Sequence, residues 1–215
     1  MQQMKMMAAQ AALKYIPAKA IVGIGTGSTI DCFIKLLCTI RDNVRATVAS
    51  SKKTAQLLTT LDFEVIELNE VDELTLYIDS ADAYNNIKQL IKGKGGALTR
   101  EKILAYASKK FICIVDQTKA NTLFNCPIPI EVMPIARSCV AREIVKLGGQ
   151  PQLRNNFITD NGNVILDVYH MPIEHPIKLE NQLNSIPGII ENGLFAIKNA
   201  DQIIIGHKES VTVLS

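Results

Sequence analysis

Apolar runs with the length of buried strands alternate with helical patterns through the first half of the chain. The predicted strands span 20–24, 45–49, 63–68, 74–78 and 111–115, and the predicted helices between them span 30–40, 53–61 and 99–109. Such alternation is typical of an open, mostly parallel sheet with helices on both faces. In sheets of this kind, ligands bind beyond the carboxyl ends of the strands. The sequence therefore predicts an α/β fold with a Rossmann-like sheet and a site at that edge.

The pattern changes after Pro127. The predicted elements that follow are a strand at 128–135, a helix at 137–147, strands at 152–159 and 164–169 around an Asn-Gly turn, a helix at 177–183 and a strand at 189–196. This order is that of a ferredoxin-like α+β unit. A final strand at 202–205 is expected to return to the first sheet. We therefore expect a Rossmann-like catalytic domain of residues 1–126 and 198–215, with a ferredoxin-like subdomain of residues 127–197 inserted in it.

Composition argues against several classes of function. The chain has 215 residues, of which 47% are hydrophobic, and no segment approaches the roughly 20 apolar residues of a membrane span. Its 23 basic and 21 acidic residues are spread evenly and Trp is absent, so neither nucleic acid nor a membrane is an expected partner. Five cysteines without C-x-x-C spacing predict buried thiols in a reducing cytoplasm. The three histidines match no common metal-site spacing, so no metal is expected.

A loop at residues 25–29, here called the glycine loop, follows the first predicted strand and precedes a helix. It resembles a dinucleotide fingerprint, but Ser28 stands where a third glycine is required, and the lysine of a P-loop is missing. Free backbone amides at a helix start, with the hydroxyls of Thr26, Ser28 and Thr29, suit a single phosphate group. The alternative is a tight turn that needs glycine only for its conformation.

Two short polar stretches suggest proton-transfer chemistry. Asp79 and Asp82 follow a predicted strand, and a second glycine-rich loop at 92–96, here called the lysine loop, leads from Lys92 towards Glu101. A carboxylate base together with a cation suits proton abstraction next to a carbonyl, because the cation stabilises the developing oxyanion. Taken singly, each residue has a simpler interpretation. The aspartates can cap loop backbone, Glu101 can belong to a capping box with Thr99, and the lysines can be solvated.

Beyond these motifs, the chain resembles the type A ribose-5-phosphate isomerases nearly end to end. The segments that carry the resemblance are 11–15, 21–29, 68–72, 97–103, 111–116, 137–138, 145–149 and 159–167. The resemblance implies a cytoplasmic homodimer that interconverts ribose 5-phosphate and ribulose 5-phosphate without cofactor or metal. It also implies a Rossmann-like sheet with a ferredoxin-like insertion.

The same resemblance assigns roles to individual residues. Glu101 is expected to be the base that moves a proton between C2 and C1 through an enediol(ate), with Lys92 stabilising negative charge on the substrate oxygens. Asp79 and Asp82 are expected to serve ring opening and hydroxyl proton exchange. The residues expected to bind substrate are Thr26, Gly27, Ser28, Thr29, Ser80, Ala81, Gly93, Lys94, Gly95, Lys119 and Lys5.

Four positions depart from the family pattern in these loops. Asp-Ser-Ala-Asp-Ala replaces the usual Asp-Gly-Ala-Asp-Glu at 79–83, and Lys-Gly-Lys-Gly-Gly replaces Lys-Gly-Gly-Gly-Ala at 92–96. Ser80 is expected to be strained, at about 1 kcal/mol or more, if the position needs glycine for a positive φ or for a close approach of the backbone. Lys94 adds a second cation near Lys92. Reduced activity is one consequence, and a sugar-phosphate sensor that has lost its chemistry is the alternative function. A coenzyme A transferase-like activity with a glutamate nucleophile is a third.

Overall fold

Thirteen strands and six α-helices lie within residues 1–120 and 124–215, the part of the chain that the computed structural model describes. The strands are β1 (Ala20–Ile24), β2 (Val44–Ala49), β3 (Leu74–Asp79), β4 (Ala83–Tyr84), β5 (Leu90–Ile91), β6 (Ser108–Asp116), β7 (Ile128–Val132), β8 (Gln150–Leu153), β9 (Val164–Tyr169), β10 (Ile189–Asn192), β11 (Leu194–Phe195), β12 (Gln202–Gly206) and β13 (Val211–Leu214). The helices are α1 (Gln2–Ala12), α2 (Ser28–Leu37), α3 (Lys52–Thr60), α4 (Leu98–Ala107), α5 (Arg137–Lys146) and α6 (Pro176–Asn184). None of the helices in these ranges is both long and apolar enough to cross a bilayer.

A six-stranded sheet organises the first of two structural units, which comprises Met1–Ala81, Arg100–Lys119 and Ala200–Ser215. The strand order is β13-β12-β6-β3-β1-β2, and only the pair of β12 with β13 is antiparallel. Residues such as Ile24, Ile78 and Ile114 are fully buried in its core. Strands covered on both faces need apolar side chains on both faces, so their sequences read as continuous apolar runs.

The second unit comprises Asp82–Thr99 and Ala120–Asn199. Its four-stranded antiparallel sheet has the order β10-β7-β9-β8, which is the fourth, first, third and second strand of a strand-helix-strand-strand-helix-strand unit, as in ferredoxin-like folds. Side chains of α5, α6 and the strands form one apolar core, which includes Val140, Ile144, Leu166 and Leu183. The predicted fold class, a mostly parallel Rossmann-like sheet with an inserted ferredoxin-like α+β part, is confirmed.

Four sequence-based predictions of strands were wrong in detail. The strand predicted at 128–135 ends at Val132, because a 3-10 helix begins at Pro134. The strand predicted at 63–68 is reduced to a single bridge between Thr47 and Val65, because a 3-10 helix with a capping box begins at Leu68. The strand predicted at 152–159 ends at Leu153. The strand predicted at 189–196 is divided between β10 and β11, since the Gly193 amide donates to the Pro129 carbonyl oxygen.

The extent of the second unit differs from the predicted 127–197. It takes in residues 82–99 as well, because β5 pairs with β4 on one side and with β11 on the other. Two-residue strands such as β4 and β5 are too short for a periodicity argument to find.

Candidate active site

The glycine loop lies at the carboxyl end of β1, between the ends of β2 and β3. The Gly25 amide donates to the Ile78 carbonyl oxygen at 2.9 Å, and an added Cβ at Gly25 would lie 1.8 Å from Asp79 Oδ1. Gly27, which precedes α2, has a φ of 125°. Gly25 is therefore required by its close contact with the Asp79 side chain, and Gly27 by its backbone conformation. The first amides of a helix have no carbonyl partner within the helix, so the loop delivers N–H donors at the start of α2.

A cluster of hydroxyl groups contacts the Thr26 side chain. Thr26 Oγ1 lies 2.9 Å from Ser50 Oγ, 2.8 Å from Ser51 Oγ and 3.1 Å from Thr54 Oγ1. Thr54 donates to the Gly25 carbonyl oxygen at 2.9 Å, and Ser51 accepts from the Thr54 amide at the start of α3. The hydroxyl of Thr26, one of the residues predicted to bind substrate, is engaged by these side chains. The serines were not predicted from the sequence, although the Ser-Ser pair directly after β2 is a signal for them.

Asp79 is fully buried at the end of β3 and accepts several hydrogen bonds. Its Oδ1 accepts the amides of Thr26 at 3.0 Å and Ser80 at 2.7 Å, and its Oδ2 accepts the hydroxyl of Tyr77. Ser80 Oγ donates to the Thr26 carbonyl oxygen at 3.2 Å. Two residues at the end of β3 thus hold both the amide and the carbonyl group of Thr26.

Ser80 does not adopt a left-handed backbone conformation. The predicted strain at this position is therefore wrong, because φ stays in the range that any L residue adopts. Ala83, at the second departure in this stretch, is buried in β4 and packs in the apolar core of the second unit. Its side chain thus serves packing.

Glu101 lies in the first turn of α4 and is 4% exposed. Burial raises the pKa of Tyr77 well above 10.0, and the charges of Asp79 and Glu101 raise it further. The carboxylates of Asp79 and Glu101 therefore both act electrostatically on the Tyr77 phenol. The capping-box alternative for Glu101 is not observed, since Thr99 lies inside α4 and donates to Glu131 Oε2 at 2.5 Å.

Two lysines of the first unit were predicted to bind substrate. Lys5 of α1 donates from Nζ to Ser28 Oγ at 2.8 Å, which places its charge beside the glycine loop. Lys119 ends a 3-10 helix that begins directly after Asp116, at the carboxyl end of β6. Ala81, the last residue of this stretch of the unit, is buried.

The second unit carries the lysine loop and Asp82. Lys92 is 2% exposed, and its Nζ lies 5.5 Å from the centroid of the Phe195 ring. The Lys92 amide donates to the Gly193 carbonyl oxygen at 2.9 Å. Asp82 Oδ2 accepts the amide of Lys94 at 2.9 Å, and the Lys94 side chain is exposed. Asp82 therefore orders the loop that contains both cations.

An ion pair that the sequence analysis missed braces the lysine loop. Arg154 binds Asp167 through Nε–Oδ2 at 2.8 Å and Nη2–Oδ1 at 2.5 Å. Its Nη1 donates to the carbonyl oxygens of Gly93 at 3.2 Å and Lys94 at 3.1 Å. No local pattern identifies this brace, because its members are about 60 residues apart in sequence.

Glu131 in β7 is a buried carboxylate with its own set of donors. Its oxygens accept hydrogen bonds from the side chains of Thr99, Thr159, Asn161 and Asn163. The network ties Thr99 to the Asn-Gly turn within the second unit. Glu131 was not predicted as a site residue from the sequence.

Among residues 1–120 and 124–215, no group of three or more His, Cys, Asp or Glu side chains is arranged to hold a metal ion. The five cysteines are free thiols. The described residues offer side-chain carboxylates and ammonium groups together with backbone amides. Those groups suit acid-base chemistry on a phosphorylated substrate.

Comparison with known proteins agrees with this chemistry. Residues 46–210 match the family described as ribose 5-phosphate isomerase A (phosphoriboisomerase A). The ribose-5-phosphate isomerase A of Francisella tularensis subsp. novicida is 53% identical over 99% of this chain and 95% of its own length. The crystal structure of ribose 5 phosphate isomerase A from Neisseria gonorrhoeae superposes with a TM-score of 0.97, at 42% identity, over 100% of this chain and 97% of that one.

A D-ribose-5-phosphate isomerase solved in complex with phospho-erythronic acid superposes with a TM-score of 0.92, at 39% identity, over 99% of this chain and 97% of that one. The match to the family model and the identities over nearly the whole chain lead to one assignment. This chain belongs to the ribose 5-phosphate isomerase A family.

Proposed function

We propose that this chain interconverts D-ribose 5-phosphate and D-ribulose 5-phosphate through an enediol(ate), with Glu101 as the base. The observation that carries the proposal is the burial of Glu101 in the unit that also presents the glycine loop and Asp79. Family membership supports the reaction. The phospho-erythronic acid bound by one relative supports it too, because its planar carboxylate resembles the two oxygens of an enediolate.

In the proposed reaction, the carboxylate of Glu101 removes the proton from C2 of the open-chain aldose. The electron pair of the C2–H bond forms the C1–C2 double bond, and the carbonyl oxygen on C1 becomes negatively charged. Glu101 then returns the proton to C1, while the hydrogen of the C2 hydroxyl moves to the C1 oxygen. A positioned base contributes about 10² to 10⁴-fold in rate. Low exposure favours this role, since fewer waters compete for the carboxylate.

The charge that develops on the substrate oxygens requires a cation. Lys92 is proposed for this role because its buried ammonium group is held with few competing waters, where electrostatic stabilisation is stronger than in bulk solvent. Asp82 is proposed to exchange hydroxyl protons. Its Oδ2 already accepts the Lys94 amide, and its other oxygen has acceptor capacity.

The phosphate group is proposed to bind at the glycine loop. Amides at the start of α2 and the charge of Lys5 beside Ser28 are the donors that support this placement. Gly93, Lys94, Gly95 and Lys119 are proposed as further substrate contacts. The sugar-phosphate sensor is not favoured, because every side chain proposed to act in the reaction is kept.

A homodimer in the cytoplasm is proposed for the native state. Ile103 and Tyr106, one turn apart on α4, are 49% and 80% exposed, and large exposed apolar side chains are suited to a subunit interface. Free thiols are typical of a reducing compartment. Sedimentation equilibrium of the wild-type chain and of an Ile103→Lys variant tests the dimer, since a monomeric wild-type chain would contradict it.

Turnover of Glu101→Gln tests the assignment of the base. The purified chain is incubated with ribose 5-phosphate, and ribulose 5-phosphate is followed by its ketose absorbance. We expect kcat to fall about 10² to 10⁴-fold in the variant, because an amide accepts no proton at neutral pH.

The matched control is Glu143→Gln, at a partly exposed glutamate on α5 that pairs with Lys146. A surface change of this kind is expected to leave kcat within about twofold. Unchanged turnover in Glu101→Gln would rule out the base. Wild-type binding of sugar phosphate without any turnover would favour the sensor.

A further inference from the structure

The hydrogen bonds of Asp79 tie this side chain to the glycine loop and to β3. Its two oxygens accept the amides of Thr26 and Ser80 and the hydroxyl of Tyr77. A buried acceptor with several fixed donors holds those donors in place, because a buried donor without a partner is costly. Asp79 therefore orients the groups around it.

The donors around Asp79 belong to a chain of polar contacts at the ends of three adjacent strands. Tyr77 donates to Asp79, Asp79 accepts the Thr26 amide, and Thr26 Oγ1 lies 2.9 Å from Ser50 Oγ. These four residues are here called the polar chain. Thr26 is the one member that belongs to the glycine loop. The conformation of that loop therefore depends on contacts with residues that lie on β3 or directly after β2.

The polar chain has little room to rearrange. An added Cβ at Gly25 would lie within 2.5 Å of three atoms of the Asp79 side chain. The Tyr77 ring is fully buried and packs on Phe111, with the centroids 5.1 Å apart. Burial and the neighbouring carboxylates keep the pKa of Tyr77 well above 10.0, so its hydroxyl remains a donor at neutral pH.

We propose that Tyr77 is a positioning residue that, through Asp79, fixes the glycine loop in the conformation that binds the phosphate of the substrate. Asp79 then acts as the anchor of the loop. This inference rests on the proposed function, in that the glycine loop is taken to hold the phosphate. Preorganised donors improve binding because the ordering of the loop does not have to occur on association.

The test is Tyr77→Phe, which removes one oxygen and keeps the ring against Phe111. We expect KM for ribose 5-phosphate and Kd for inorganic phosphate to rise about tenfold, which corresponds to ~1.4 kcal/mol. We expect kcat to change less than about threefold, since Glu101 is untouched. Tyr169→Phe, which removes the same atom from a partly exposed tyrosine on β9 of the second unit, is the matched control and should change neither constant.

Phosphate binding is measured by amide shifts of Thr26–Thr29 in nuclear magnetic resonance titrations, so it does not depend on turnover. A folded Tyr77→Phe protein with unchanged KM and Kd would overturn the inference while leaving the proposed function intact. A fall in kcat with unchanged KM would overturn it as well, because Asp79 would then act in proton transfer. If Tyr77→Phe does not fold, Ser50→Ala removes the contact with Thr26 at the other end of the polar chain and is expected to raise the same two constants.

Discussion

Replacing Gly96 by alanine probes the fit between the lysine loop and the Phe157 ring. Gly96 has a φ of 80°, and a Cβ added there would lie 2.1 Å from Phe157 Cζ and 2.5 Å from Cε1. Phe157 also lies beneath the Arg154 guanidinium, with 5.3 Å between Arg154 Cζ and the ring centroid. The substitution therefore combines a backbone cost with a steric cost.

The two costs can be estimated separately. A left-handed conformation costs an L residue other than glycine about 1–2 kcal/mol. Overpacking against a ring that must shift by more than an ångström adds about 1–3 kcal/mol. Gly96→Ala is therefore expected to lower the free energy of unfolding by about 2–5 kcal/mol. At about 2–4 °C per kcal/mol for a chain of this size, Tm should fall by about 4–20 °C.

Gly162→Ala is the matched control, because Gly162 has nearly the same φ, 82°, and nothing lies within 4 Å of its added Cβ. It should show only the backbone cost, about 1–2 kcal/mol. Phe157→Leu removes every atom that the new methyl group would meet, so the double variant should recover the steric part. A coupling energy of about 1 kcal/mol or more is expected in the double-mutant cycle.

Thermal and urea unfolding, followed by circular dichroism, give these differences. Equal destabilisation by Gly96→Ala and Gly162→Ala, or strict additivity with Phe157→Leu, would refute the steric argument. The contact with Phe157 is the steric reason for glycine at position 96 in this chain.

Ser80→Gly should destabilise the protein by about 1–2 kcal/mol in urea unfolding, because it loses a hydrogen bond and gains unfolded-state entropy; a more stable variant would mean that Ser80 is strained after all. Above pH 10, the free energy of unfolding of the wild-type protein should fall relative to that of Tyr77→Phe by about 1.4 kcal/mol per pH unit. The reason is that the pKa of Tyr77 is raised in the folded state, so only the unfolded chain loses this proton in that pH range. A constant difference between pH 8 and pH 11.5 would contradict this. Glu131→Gln should lower the free energy of unfolding by about 1–3 kcal/mol, because an amide N–H group then stands where Thr99 or Asn163 needs an acceptor. An unchanged free energy in urea unfolding would show that the network contributes little.

The pattern of apolar residues was sufficient to predict the longer strands. β1 matches its predicted bounds of 20–24, and β3 and β6 differ only by a few residues, because strands buried on both faces need long apolar runs. The same pattern failed to predict segments whose structure depends on a few backbone hydrogen bonds. β4 and β5 are two residues long, and a capping box replaced the end of the strand predicted at 63–68.

The candidate site shows the same division. Glu101, Asp79, Asp82 and Lys92 could be named from the sequence, because each stands in a short segment whose residue types suit proton transfer and match the family pattern. Their partners could not be named. Asp79 meets Thr26, and Arg154 meets Gly93, across separations that no local pattern spans.

The sequence by itself determined the alternating fold, the glycine bends and the identity of the acids and cations, because these depend on side-chain type and short-range spacing. Only the tertiary structure decided what each group does with its hydrogen-bonding capacity. Thr26 turns its hydroxyl inwards, Asp79 holds a loop, and Ser80 is unstrained. The physical reason is that a buried polar group must find its partner wherever the packed chain supplies one, and packing brings together residues that are remote in sequence.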